Sequence, residues 1–412
     1  MSSLPLGWDL VSLNDLQAEE PRAITDGPFG SNLTSAHYRD QGPRVVRLQN
    51  IGDGRFVDAH AHIPQQHFES LRAHEVLAGD LLVASLGDDP PRACLAPSAL
   101  GPAIVKADCI RVRLAPSVDS RWVMYAMQTP AVRSWASEKM YGVGRPRLGL
   151  KTIRAIPIPL PPLDEQRRIV EILEDHLSRL DAAAAQVETA QQRLEMWRRL
   201  ALDQLVHEQA TGSGKLADVV ERVEAGRSFG GSAPPAGPDE WGIIKVSAMT
   251  WGSFKAQENK AVPADKVDPR YEIQRGDVLV SRANTTEYVG APVLVTATRP
   301  RLLLSDKSLR IIPRPGVDRA WLATVLGART TRYEVSSLAT GTKDSMRNIS
   351  QSSLLSVEVP VANAQQQREV VARAALIEDR ATQLDTELST ALIRGRTLRR
   401  SLLAAAFSGR LA

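Results

Sequence analysis

The stretch DEQRRIVEILEDHLSRLDAAAAQVETAQQRLEMWRRLALDQLVHE, Asp164 to Glu208, contains neither proline nor glycine. Apolar or small residues recur at Val170, Leu173, Leu177, Leu180, Ala184 and Val187, then at Leu194, Ala201 and Leu205; Gln191 and Arg198 interrupt the seam. Alternating steps of three and four put one stripe on one face of a helix. About 45 residues make a rod of roughly 65 Å, too long to be core in a small domain. Pro157, Pro159, Pro161 and Pro162 prevent an earlier start. Asp164 and Glu165 then sit where the helix dipole favours carboxylates, and Gly212-Ser213-Gly214 supplies the stop.

The pattern returns between Ala364 and Phe407. The seam there reads Ala374, Ile377, Ala381, Leu384, Leu388, Ala391, Gly395, Leu398, Leu402 and Ala405, and Gly409 closes it. The rods differ in charge. The first carries ten acidic and six basic residues, and Ala364 to Ala412 five and eight, with Arg394, Arg396, Arg399 and Arg400 near the second rod's far end. The first rod is most acidic at its start, from Asp164 to Asp175, so antiparallel pairing within one chain is the expectation.

The 412 residues predict two or three domains. Hydrophobic content of 43% and charged content of 24% are ordinary for a soluble globular chain. A net charge of +4 permits nucleic acid without requiring it. No apolar run approaches the length of a membrane span, and Met1 to Leu10 lacks the features of a signal peptide, so the expected location is the cytoplasm, with no membrane partner. Cys94 and Cys109 read as buried thiols without metal-ligand spacing.

Outside the rods the chain is one plan written twice, offset by about 200 residues. Gly27-Pro28-Phe29-Gly30-Ser31 answers to Arg227-Ser228-Phe229-Gly230-Gly231, and Gly79-Asp80-Leu81-Leu82-Val83 to Gly276-Asp277-Val278-Leu279-Val280. Val118-Asp119 with Trp122 answers to Val317-Asp318 with Trp321, and Gln166-Arg167 to Gln367-Arg368. The Gly-Asp pairs predict turns into short buried strands. Ile104 to Leu114 and Leu302 to Ile312 read as strands, Arg121 to Ser137 and Ala320 to Ser337 as helices, and Ile153 to Leu160 and Leu354 to Val361 as last strands. The expected fold is α/β: two tandem globular domains joined by two long antiparallel coiled-coil helices, with a pseudo-twofold internal repeat. The expected segments are 1–160 and 212–360 for the globular parts, with 161–211 and 361–412 for the helices.

Enzymatic patterns are weak. Asp88-Asp89-Pro90-Pro91-Arg92 follows a strand as a methyltransferase loop does, but Arg92 stands where an aromatic would stack on a flipped base. Asp239, Glu258 and Lys260 fit a nuclease pattern only loosely, and no GxxxxGK[ST] loop exists. No catalytic residue, metal site or resident cofactor is expected. Polar and basic loops at matching positions remain. Copy one offers Ser31, Asn32, Arg47, Gln49, Asn50, Arg92, Arg145, Arg147 and Lys151; copy two offers Lys245, Ser247, Arg282, Asn284, Lys343, Arg347 and Asn348. Arg47, Gln49, Asn50 and Arg55 are read as alternating along a strand edge. Such side chains read base edges or hold phosphates, so nucleic acid is the expected ligand. A coiled-coil adaptor with two ligand-binding domains and no DNA role is the alternative.

Leu4-Pro5-Leu6-Gly7-Trp8, Gly27-Pro28-Phe29-Gly30-Ser31, Pro161-Pro162-Leu163-Asp164-Glu165-Gln166 and the C-terminal Leu402 to Leu411 run resemble the specificity subunits of type I restriction–modification systems. The second copy departs from the helix-entry signature, reading Pro360-Val361-Ala362-Asn363-Ala364-Gln365-Gln366-Gln367. The resemblance implies two target-recognition domains, each reading half of a bipartite asymmetric site on double-stranded DNA. It implies helices that act as a ruler and dock two modification subunits, through Glu165, Gln166, Arg167, Gln367, Arg368 and Phe407. S-adenosylmethionine would sit on those methyltransferase partners, and motor–nuclease subunits would join for restriction. The chain itself would be non-catalytic.

Overall fold

The structure is a computed structural model; it describes residues 4–87, 89–142, 144–231, 233–249, 252–341, 343–344 and 346–411. Asp88 and Ser232, the latter closing the second Gly-rich loop, lie outside the described residues. The chain divides into two compact units, Met1–Val187 with Thr390–Ala412, and Glu188–Ser389. Both divisions fall in mid-helix, so each rod contributes one half to each unit. The segmentation expected above treated the rods as bodies of their own.

The first unit is built on a four-stranded antiparallel sheet in the order Ile24–Asp26, Cys109–Val112, Leu81–Ala84, Arg92–Leu95. All four residues of Leu81–Ala84 are buried, and Gly79 enters the strand with φ +83°. A three-stranded sheet sets Arg39–Val46 parallel to Ala103–Val105, with Glu75–Val76 on the other side. Asp9–Ser12 pairs with Pro157–Leu160 just before the first rod.

The second unit repeats this order: Val220–Ala225, Ser308–Pro313, Val278–Ser281, Pro292–Leu294. Its three-stranded sheet again holds one parallel pair, Gly242–Ile244 with Leu302–Leu303. Gly212–Lys215 pairs with Glu358–Val361.

Several expected elements are divided. Each long strand candidate is two strands, Ala103–Val105 with Cys109–Val112 and Leu302–Leu303 with Ser308–Pro313. The two strands of each pair belong to different sheets, which apolar content alone does not reveal. The helix over 121–137 breaks into Ser120–Met127 and Pro130–Ser137, because Pro130 cannot continue a helix. Its counterpart breaks into Arg319–Gly327 and Arg329–Leu338. Ile153 and Leu354 lie in the short helices Leu150–Arg154 and Gln351–Leu355, ahead of the last strands. The Val-Asp-x-x-Trp motif is a helix start. Asp119 and Asp318 accept backbone N–H groups of the first turn, and Trp122 and Trp321 are fully buried.

The rods are single helices, Leu163–Glu208 and Ala364–Ala406. In the first, every expected seam position is buried or half-buried, while Met196, Trp197 and Leu200 face outward. Pairing is antiparallel and within the chain. In the first unit Arg399 Nη1 lies 2.9 Å from Asp181 Oδ1. In the second, Arg198 Nη1 lies 2.9 Å from Glu378 Oε1, and Gln191 Nε2 donates to Asp385 Oδ1 at 3.1 Å. The two polar interruptions of the first seam are therefore inter-rod bonds. The charge expectation needs correction in detail. Asp181 meets Arg399, whereas Glu174 turns to Arg121 and Asp164 to Arg167. The second seam also slips past Leu388: Ala391 and Leu398 are exposed, and Leu392, Gly395, Arg399 and Leu403 turn inward. Two successive four-residue steps form a stutter, which locally unwinds a coiled coil.

Candidate nucleic-acid interface

In each unit the loop after the fully buried central strand comes beside the Gly-rich basic loop. In the first unit Leu86 bridges Arg147, which also pairs with Tyr141 across a tight turn. Arg145 and Lys151 are exposed. The Arg147 guanidinium is exposed too, 5.7 Å over the Tyr141 ring and 3.7 Å from Asp108. In the second unit Ala283–Asn284 pairs with Arg347–Asn348, and Thr286 N–H donates to the Asp344 carbonyl at 3.1 Å. Lys343 and Asn348 face solvent. Two loops about 60 residues apart thus form one surface in both units, with different side chains on it.

Other sequence-chosen residues have structural work. Arg47, Gln49 and Asn50 do not alternate on a strand edge, because Leu48–Asn50 is a helical turn. Asn50 is only 1% exposed; it accepts the Arg47 N–H and donates to the Val57 and Ala59 carbonyls. Arg47 donates to the Ala59 and His60 carbonyls, so only Gln49 of this trio is exposed. Ser247 donates to Glu258 at 2.7 Å. Asn284 accepts from Thr285 N–H and donates to Ser281, and Arg347 folds back onto the Gly341 and Ala339 carbonyls. Arg92 and Arg282 are half-buried.

Ser31 and Asn32 are exposed on the turn Gly30–Asn32, where His67 Nε2 meets the Asn32 carbonyl at 2.9 Å and stacks on His37. Gly27 allows this loop its close approach, since a Cβ there would lie 2.1 Å from the Lys106 carbonyl carbon. Its structural counterpart is Gly226, where a Cβ would lie 2.0 Å from the Leu304 oxygen, and not Arg227 as the sequence match suggested. Lys260 donates to the Phe229 and Gly231 carbonyls and stiffens the second Gly-rich loop. With Glu258 bound to Ser247 and Asp239 in open solvent, the loose nuclease pattern disperses.

Sequence reasoning missed Arg133, whose guanidinium joins Asp53 at 2.6 Å and also binds Asp89. It ties two loops that no local pattern connects. It also missed Asp26. Burial pushes that carboxyl up to about 6, helped by the nearby Asp108 charge and opposed by N–H bonds from Gly27 and Asp108. The folded chain therefore holds this proton to higher pH than the unfolded chain. Stability falls as pH rises from about 4 to about 6, and the penalty persists above. Asp26→Asn keeps an acceptor for both N–H groups and removes the charge. The expected result is a higher melting temperature than wild type at pH 8, with the difference vanishing near pH 4. Parallel pH profiles for the two proteins would refute this.

The residues assigned to partner docking divide. Glu165 is half-buried, and Arg167 and Arg368 are exposed. Gln166 and Gln367 turn inward. Gln166 accepts the Asp119 N–H at 3.0 Å and donates to the Pro161 carbonyl at 2.8 Å. Gln367 does the same with Asp318 and Ala362, both at 2.8 Å. Each ties the start of a rod to a helix of its globular part. Phe407 packs in the first core, its ring centroid 4.1 Å from that of Trp122. These three are structural, and alternation alone could not separate them from surface contacts. Gln166→Ala or Gln367→Ala leaves a buried N–H unsatisfied, an expected loss of about 1–3 kcal/mol in unfolding titrations. A loss of only about 0.3 kcal/mol or less would rule the staple out.

Among the described residues no cluster of His, Cys, Asp or Glu could hold a metal, and no helix is long and apolar enough to cross a membrane. Cys94 and Cys109 are free and buried, and burial pushes the Cys94 thiol up to about 12.

A mixed α/β unit occurring twice, each carried on halves of the same two long helices, defines the class. A family model of the type I restriction modification DNA specificity domain matches residues 111–189. The chain is 31% identical over 148 residues to the EcoEI specificity subunit of Escherichia coli, a match over 35% of this chain and 25% of that protein. To the EcoBI specificity subunit of Escherichia coli it is 22% identical over 446 residues, covering 98% and 88%. The chain spans a quarter of the EcoEI subunit and 58% of the EcoKI subunit. The fold matches a chain from a solved structure on complex assembly and conformational transition of the type I R-M system. That match has TM-score 0.71 and 19% identity, and covers both chains fully. The chain is thus similar, in a stretch of its sequence and in its whole fold, to type I restriction–modification specificity subunits.

Proposed function

We propose that this chain directs a type I restriction–modification complex to its DNA. Each unit reads one half of a bipartite, asymmetric duplex site, and the paired rods set the spacer between halves. Two modification subunits, carrying S-adenosylmethionine, methylate adenine, and motor–nuclease subunits cleave unmodified DNA. The chain itself does no catalysis and works in the cytoplasm. The supporting observation is the twice-built surface of strand-end loop and Gly-rich basic loop, identical in position and different in side chains. Equivalent placement suits two half-sites on one duplex, and unlike residues make those halves unlike.

The test is a map of methylated adenines in the host, with and without this chain. The expected map loses a single bipartite motif when the chain is removed. Arg145→Ala and Arg147→Ala should alter one half of that motif only. An identical map without the chain would overturn the proposal.

A further inference from the structure

An offset of 199 residues lays the helix Pro130–Ser137 on Arg329–Leu338. The inward faces match: Val132 falls on Thr331 and Ala136 on Val335, all four buried. Arg133 then falls on Arg332. Each of these arginines reaches the loop that follows the central strand of its own unit. Arg133 pairs with Asp89 in the first loop and, at 2.6 Å, with Asp53 in a neighbouring turn. Arg332 Nη2 donates to the Glu287 carbonyl in the second loop at 3.0 Å. There the helix presses on the loop's exit, for a Cβ at Gly290 would lie 2.1 Å from Val335 Cγ1.

The helix behind each loop is itself held. Arg399 of the second rod donates to Gln128 at 3.3 Å, just ahead of the first helix. Asp203 of the first rod accepts the Thr330 N–H at 3.0 Å and its hydroxyl at 2.9 Å. The Gly-rich basic loop fastens the other flank through main chain. Leu148 N–H donates to the Ser85 carbonyl at 2.9 Å, and Ile349 N–H to the Arg282 carbonyl at 3.0 Å. Such bonds form whatever the side chains are, whereas the arginine is a side chain that both copies place alike. Neither guanidinium is spare for a phosphate. Asp53 and Asp89 neutralise Arg133. Arg332 Nη1 is buried beside Gly290, and burial with the Arg199 charge pushes that guanidinium down to about 10. A loop fixed before DNA arrives offers one set of hydrogen-bonding groups; a loose one adopts several and accepts several bases.

We propose that Arg133 and Arg332 are positioning residues: neither touches DNA, and each holds one reading loop in the arrangement that discriminates its own half-site. This rests on the function proposed above.

The full chain is assembled with its modification subunits, and methyl transfer is measured on duplexes with single base changes in either half of the motif. With Arg133→Ala, discrimination is expected to fall about tenfold in the half that Arg145→Ala alters, and to hold in the other. Arg332→Ala should do the reverse. Arg133→Lys should recover part of the loss, because an ammonium cannot span both carboxylates as the planar guanidinium does. Arg133→Ala combined with Asp89→Asn keeps the wild-type net charge of that cluster and should stay relaxed; full discrimination there would show that charge alone mattered and overturn the role. Unchanged melting shows that the variants fold, and Asp89→Asn and Arg332→Gln serve where alanine does not. Folded variants that keep discrimination in both halves, or lose it in both, overturn the positioning role alone. A wild-type complex that methylates every duplex alike overturns the function proposed above and this role with it.

Discussion

Asp80→Ala is expected to destabilise the first unit by about 3–5 kcal/mol, and Asp277→Ala to act similarly in the second. Asp80 is 4% exposed and accepts Arg113 Nε and Nη2 through its two oxygens, both at 2.9 Å. It also caps the Leu77 N–H at 2.8 Å, fixing the turn into the central strand. Removing it leaves Arg113 to share Glu20 with the buried Arg111. Burial and the Arg113 charge already hold Arg111 below the usual guanidinium range. The second unit repeats the device with Arg310 Nε at 2.9 Å from Asp277 and the Gln274 N–H at 2.9 Å. Asp80→Asn can still cap the turn, so its loss should be smaller. Denaturant titration of the full chain checks this. A midpoint shift worth under about 1 kcal/mol for Asp80→Ala would show that solvent already relieves the pair.

Removing seven residues from both rods is expected to shorten the recognised spacer by about three base pairs, because a heptad spans about 10.5 Å and DNA rises about 3.4 Å per pair. Deletion of 183–189 together with 386–392 leaves Asp181–Arg399 and Arg198–Glu378 on either side of the cut. Seven residues turn a helix through two turns less about 20°, so the seam nearly keeps its face. Cutting only one rod cannot satisfy both pairs at once, and that variant should lose stability rather than acquire a new spacer. The readout is the methylated motif. An unchanged spacer with the matched deletion, in a folded protein, would end the idea that rod length sets it.

The elements legible in the sequence are those whose cause is local or periodic. The first rod's seam from Val170 to Leu205 is such a case, and so are the Gly-Asp entries to the buried strands. Each follows from side-chain spacing or backbone allowance within a few residues. The candidate interface was legible as a set of loops, not as a surface. Arg145, Arg147, Lys343 and Asn348 remain available. Asn50 and Ser247 are claimed by Val57 and Glu258, respectively. A polar side chain's hydrogen bond to a residue ten positions away has no period to announce it.

The order of residues by itself determined that the plan occurs twice, that two long helices carry it, and that the two copies differ in the loops that face outward. These depend on periodicity, on proline and glycine placement, and on matching between halves. Only the tertiary structure decided which polar groups are spent inside. It turned Gln166, Gln367 and Phe407 from docking residues into packing, joined Asp80 to Arg113, and slipped the second seam so that Leu398 faces out. The physical reason is common to all three. Burial and pairing are set by neighbours brought together from distant parts of the chain, and a side chain's type limits what it can bond without choosing its partner.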